Sequence, residues 1–203
     1  MRLLLALRLL HEVGVPVMET KDVAFKLGVT NEHASQILRR LALEKHIVHL
    51  SRSLWAIDPQ INPFLLPDYL VAPLPCYVSL QTALYQHNMI DQIPRLITVV
   101  SLARTRRIQT PLATVSVHHI IPEFFFDYDL DPKTQVKMAT PEKALLDVLY
   151  LKPAKSQWFK TLPELEIPKT FNVEKAFNMI QRIPSRARQS LVEKALHKIL
   201  SRP

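Results

Sequence analysis

Glycine occurs only twice in the 203 residues, at positions 14 and 28, and each closes a short amphipathic stretch. A chain this poor in glycine has few freely left-handed positions, so these two mark where its helices stop most sharply. Before Gly14, Leu3, Ala6, Leu7, Leu10 and Val13 recur at helical spacing, which predicts a helix over 2–13. Val15-Pro16-Val17 reads as a connector, and Thr20 as the cap of a second helix with Val23, Ala24 and Leu27 inward. The same scarcity excludes whole classes of chemistry. There is no GxGxxG, P-loop or GxSxG run, and no glycine-rich backbone cradle for a cofactor's phosphates, so no cofactor is expected.

Three residues separate the second stretch from a third. Thr30 reads as its cap, and Ala34, Ile37, Leu38, Leu41 and Ala42 make one apolar stripe. Two short β-prone runs follow, Ile47-Val48-His49-Leu50 and Leu54-Trp55-Ala56-Ile57, around the polar turn Ser51-Arg52-Ser53. Helix, helix, three-residue turn, helix, hairpin is the plan of a winged helix-turn-helix. In that plan the third helix enters the major groove and the hairpin touches backbone nearby.

The outer face of the third helix fits that use. At about 100° per residue, Glu32, Gln36, Arg39 and Arg40 point away from the stripe, with His33 and Ser35 on its flanks. Gln and Arg suit bidentate contacts to adenine and guanine edges. Thr30 and Asn31 at the helix start suit a phosphate, and Arg52 at the hairpin tip a phosphate or the minor groove. The expected DNA-binding set is therefore Thr30, Asn31, His33, Ser35, Gln36, Arg39, Arg40 and Arg52. Glu32 would repel phosphate, and Leu43 falls on the wet face unless it packs beneath the hairpin. The competing reading is a small helical module with a hairpin that contacts protein.

Pro59, Pro63 and Pro67 favour extended chain, which places a linker at 59–66 between a 1–58 winged-helix domain and a 67–203 domain. In the latter, Ser79 reads as the cap of a helix to about His87, with Leu80, Ala83 and Leu84 inward and Asn88 in the left-handed conformation. Leu96–Leu102, Leu112–Ile121, Phe124–Tyr128 and Val136–Met138 read as strands. Thr140-Pro141-Glu142 starts a helix with cap, first-turn proline and N-terminal carboxylate, and Ala144, Leu145, Val148 and Leu149 inward. Helices near 172–183 and 186–201 complete a helical tail, the last with Leu191, Ala195 and Ile199 inward. The fold class is α+β: an N-terminal winged helix-turn-helix, a mixed α/β domain and a helical C-terminal tail.

Residues 77–151 read YVSLQTALYQHNMIDQIP, then ITVVSLARTRRIQTPLATVSVHHI, then VKMATPEKALLDVLYL. This run resembles the AbiEi family of abortive-infection antitoxins, transcriptional regulators of type IV toxin-antitoxin pairs. The resemblance covers most of the chain, and its middle segment is the specific part. It implies that the first domain binds inverted repeats in the protein's own promoter and represses it. It also implies that the second domain counters a co-expressed toxin of nucleotidyltransferase fold without a stable complex, and that the protein is not an enzyme.

Formal charge is +8 and the pI near 9.7, which points to a polyanionic partner. The charge is uneven: residues 152–203 hold eleven Lys/Arg against four Asp/Glu, while 59–151 hold seven against eight. Two basic groups stand out. Arg104, Arg106 and Arg107 lie between β-prone runs, where they read either as a patch facing nucleic acid or toxin or as a solvated turn. Arg186, Arg188, Lys194, Lys198 and Arg202 decorate the tail helix, for an ancillary nucleic-acid contact or for solubility.

The rival enzyme reading is a magnesium-dependent nuclease built from Glu123, Asp127, Asp129 and Asp131 with Lys133 and Lys137. An acidic turn explains that cluster better, and a third reading is a non-catalytic adaptor. No metal site is expected: adjacent His118 and His119 would point to opposite faces of a strand, and Cys76 is the chain's single cysteine. Arg8, His11 and Glu12 break the apolar N-terminus, and no run has the roughly 18 apolar residues of a spanning helix. A cytoplasmic protein without membrane contact is expected.

Overall fold

A computed structural model describes residues 3–152 and 164–201. The chain is α+β and divides into two compact units, Met1–Tyr69 with Gln109–Ala113, and Leu70–Ile108 with Thr114–Pro203. In the first, α1 (Leu3–His11), β1 (Val17–Glu19), α2 (Thr20–Leu27), α3 (Asn31–Leu43), β2 (Val48–Ser51) and β3 (Leu54–Ala56) follow one another. Gly28 ends α2 at φ 64°, with its N–H returned to the carbonyls of the last turn. Thr30 caps α3 by accepting the His33 N–H at 3.3 Å. Ala6 and Leu10, Val23 and Leu27, and Ala34, Ile37, Leu38 and Leu41 close one core with Trp55 and Ile57. Each fully buried Leu or Ile there contributes roughly 1.5–3 kcal/mol.

Three local expectations fail in this unit. Val17 belongs to a strand rather than a connector: β1 pairs antiparallel with β3 as Val17↔Ala56, Met18↔Trp55 and Glu19↔Leu54, so the sheet order is β1-β3-β2. Three residues carry no readable period, and their partner lies far along the chain. Thr20 is the first residue of α2 but not its cap; its hydroxyl donates to the Ser53 carbonyl at 3.3 Å and accepts the Trp55 Nε1–H at 3.0 Å. Leu43 is 82% exposed instead of lying under the hairpin.

Segment 59–66 is not simply extended. Asn62 caps a 3-10 turn at Pro63–Leu65, which runs into α4 (Leu66–Val71), and Ile61 and Leu66 are buried. Pro63 and Pro67 stand where a first helical turn needs no N–H, so proline density here marks helix starts.

The second unit holds β4 (Cys76–Val78), α5 (Leu80–Gln86), β5 (Ile97–Ser101), β6 (Arg106–Gln109), β7 (Thr114–His119), β8 (Tyr128–Leu130) and β9 (Lys137–Ala139). Three helices follow: α6 (Pro141–Leu151), α7 (Val173–Ile180) and α8 (Arg186–Leu200). The sheet order is β6-β7-β5-β4-β9-β8. It is mixed: β5/β7 and β4/β9 are parallel, β4/β5 and β8/β9 antiparallel. Leu84 of α5, Leu145 and Val148 of α6, Met179 of α7 and Leu196 of α8 share its core. Asn88 takes the left-handed conformation at φ 55° after α5, and Thr140 caps α6 with Pro141 first.

Of the Phe124–Tyr128 run only Tyr128 enters a strand, as the first residue of β8. Phe124 lies in a 3-10 turn, fully buried, stacked on Tyr150 at 4.9 Å and edge-on to Phe126 at 5.4 Å. Aromatic β-propensity reflects packing, and here the rings pack on α6. The tail helix buries Val192 and Leu196, and Ala195 and Ile199 pack against the same core, while Leu191 is 56% exposed. Arg202 lies outside the described residues. Among the described residues no helix is long and apolar enough to cross a membrane.

Candidate nucleic-acid interface

Between α3, the start of α2 and the β2–β3 hairpin the first unit opens a cleft of about 550 Å³. Its floor is Trp55, buried and tied by its indole N–H to Thr20, with the His49 ring tilted against it at 4.2 Å between centroids. Thr20 in turn bonds the Ser53 carbonyl, so one hydroxyl fastens the hairpin tip to α2. Ser53 at φ 62° makes the tight turn that presents Arg52.

α3 supplies one wall through Asn31, Ser35 and Arg39, four residues apart and therefore on one line. Arg52 and Lys21 supply the other side, and Glu19 pairs with Lys21 at 2.8 Å, which raises the lysine's pKa through that hydrogen bond. Arg39 and Arg52 have no carboxylate partner among the described residues. The cleft therefore offers cations, amide and hydroxyl donors around an aromatic floor.

The eight residues singled out from sequence separate here. Asn31, Ser35, Arg39 and Arg52 line the cleft; His33, Gln36 and Arg40 are exposed on α3 outside it; Thr30 is engaged as the cap. Lys21 and His49 were missed. His49 was legible in principle, because the hairpin register sets it directly opposite Trp55.

The second unit disperses its basic candidates. Arg106 and Arg107 are neighbours on β6 and so project to opposite faces, Arg104 precedes the strand, and Arg106 donates to the Leu70 carbonyl at 3.3 Å. Arg188 is no outward cation: it donates to the Tyr150 carbonyl at 2.8 Å and covers the Tyr150 ring. Arg186, Lys194 and Lys198 are exposed, the last two beside Leu191.

A polar cluster that sequence reading passed over lies in the core of this unit. Lys143 and Asp147, one turn apart on α6, are fully buried and form an ion pair. Asp147 also accepts from the Ser79 hydroxyl at 2.7 Å and the Tyr77 hydroxyl at 3.1 Å, so Ser79 serves Asp147 and not the α5 N-terminus. The Lys143 ammonium sits 4.0 Å over the Phe124 ring. Burial pushes the lysine's pKa down and the aspartate's up, against their mutual attraction, and it pushes Tyr77 up. Beside this cluster Lys175 bridges Asp127 at 3.0 Å and buried Glu142 at 3.5 Å.

Those contacts account for part of the acidic run considered for a nuclease. Asp127 also accepts from the Thr140 hydroxyl, and Asp131 accepts the N–H groups of Lys133 and Thr134 in a turn. Among the described residues no three His, Cys, Asp or Glu side chains are placed to hold a metal ion. Burial pushes His118 down to about 4, so it is neutral. Comparison with known proteins finds no matching family model and no curated relative.

Proposed function

We propose that this protein is a cytoplasmic, bacterial transcriptional repressor of the antitoxin type. In this reading the first unit is a winged helix-turn-helix that binds inverted repeats in its own promoter. The observation that carries it is the cleft between α3 and the hairpin, where Arg39 and Arg52 face one space without carboxylate partners. A duplex laid against α3 would set a backbone phosphate in that cleft and base edges against the helix's outer ridge. Asn31, Ser35, Arg39, Arg52 and Lys21 then position the duplex, while Gln36 reads bases and Arg40 and His33 serve the far strand.

Mobility-shift titration on the upstream promoter tests this. Arg39→Ala and Arg52→Ala should each weaken binding to every sequence alike and lower the slope of log affinity against log salt by about 0.9. Unchanged binding by a folded double variant would remove the cleft from the interface.

The second unit, on the family resemblance, relieves a nucleotidyltransferase-like toxin in an abortive-infection pair. Co-expression with the neighbouring reading frame tests it: protection should need this unit and no stable complex. A further contact with nucleic acid would come from Arg186, Lys194 and Lys198. Because Val192 and Leu196 bury α8 in the core, truncation would unfold the unit, so the test is substitution. Changing the three cations to glutamine should reduce the salt slope by up to about 2.7 if each holds a phosphate. An unchanged slope assigns them to solubility.

A further inference from the structure

α3 carries a carboxylate at the centre of the face this reading turns toward DNA. Its buried line is Ala34, Ile37, Leu38 and Leu41. At about 100° per residue, the positions opposite that line are Glu32 on the first turn and exposed Leu43 on the last, with Gln36 and Arg39 to either side. Glu32 is exposed, and no lysine or arginine pairs with it among the described residues. Phosphate repels such a group, so a helix face used only to grip the backbone gains nothing from it.

Part of its role is local, since an acidic residue in the first turn complements the positive end of the helix dipole. A capping box places its carboxylate three residues after the cap, where it bonds back to the cap's N–H. Here Thr30 is the cap and His33 holds that third position, so Glu32 stands one residue too early. Hydrogen bonding to its own N–H, and then to the Thr30 side chain, lowers its pKa, so the group is ionised. The result is an exposed, acceptor-only group on the first turn of the helix, the end that recognition helices direct at base edges.

Major-groove chemistry narrows what such a group recognises. Only cytosine and adenine present amino donors there, and adenine also presents an acceptor at N7 that a carboxylate repels. Resting on the repressor reading above, we propose that Glu32 is a specificity-determining residue whose carboxylate accepts a hydrogen bond from the exocyclic amino group of a cytosine in each half-site. Glu32 rejects guanine and thymine there, whose major-groove edges present acceptors without an amino donor, and it lowers affinity for unrelated DNA by repelling phosphate.

The test uses the full-length protein with Glu32→Ala and Glu32→Gln, selected against a randomised duplex library and then titrated on single-base operator variants. Wild type should prefer cytosine at one position per half-site by roughly 5- to 150-fold over other bases. Glu32→Ala should flatten that single position while binding unrelated duplex more tightly, and Glu32→Gln should shift it toward adenine. Alanine is a strong helix former, and circular dichroism confirms that each variant is folded. If wild type binds DNA and Glu32→Ala keeps the same base preferences, the assignment is overturned and the repressor reading stands. If wild type binds no duplex sequence, the repressor reading falls, and the assignment with it.

Discussion

Replacing Lys143 with methionine is expected to destabilise the second unit by about 3–5 kcal/mol, the cost of leaving one member of a buried ion pair alone. Asp147 would keep the Tyr77 and Ser79 hydroxyls but lose the ammonium paired with it, and it is fully buried. Domains of this size have about 5–15 kcal/mol to lose, so the effect is a large share of the total. Asp147→Leu alone should be as damaging, since it strands the ammonium among Phe124, Phe126 and Tyr77. The double variant should recover part of the loss, because two apolar side chains remove both charges. It should not recover all of it, since each hydroxyl left without its acceptor costs about 1–3 kcal/mol. Urea denaturation of the four proteins, followed by circular dichroism, gives the coupling directly. A Lys143→Met protein as stable as wild type would mean the pair contributes nothing.

Trp55→Ala should cost the first unit about 3–5 kcal/mol and abolish promoter binding. The indole fills the core under α2 and α3, packs against the His49 ring and bonds Thr20, so its loss opens a cavity beneath the cleft and frees the hairpin tip. Trp55→Phe separates the two effects. It keeps most of the volume and the stacking surface but lacks the N–H, and should cost about 1 kcal/mol, as one hydrogen bond does. Thermal denaturation and mobility shift on the same samples distinguish loss of fold from loss of the clamp. Retained promoter binding by Trp55→Ala would take the cleft's floor out of the interface.

Much of the helical layout was legible without coordinates. Gly28 and Asn88 take left-handed conformations, Thr30 and Thr140 cap their helices, and Pro141 opens α6. Each of those signals is complete within four or five residues, the range over which capping and helical periodicity act. The outer face of α3 was readable for the same reason, because an apolar stripe fixes the opposite side of its own helix. Two short strands were not. β1 and β4 have three residues each, and such a segment becomes a strand only through a partner elsewhere in the chain.

Hydroxyl and charge roles divided along the same line. Thr20 and Ser79 stand where caps belong, yet their hydrogen bonds go to Ser53 and Trp55, and to Asp147, between 33 and 68 residues away. Lys143 and Asp147 are spaced as an ordinary exposed helix pair, four residues apart. Their spacing followed from sequence; their burial was decided by Tyr77 on β4 and by the Phe124–Phe126 turn closing over them. Sequence by itself determined where helices begin, end and turn their apolar faces, because those energies are local. Tertiary structure alone decided which polar groups lost water and which distant partners replaced it, because desolvation depends on everything packed around a group.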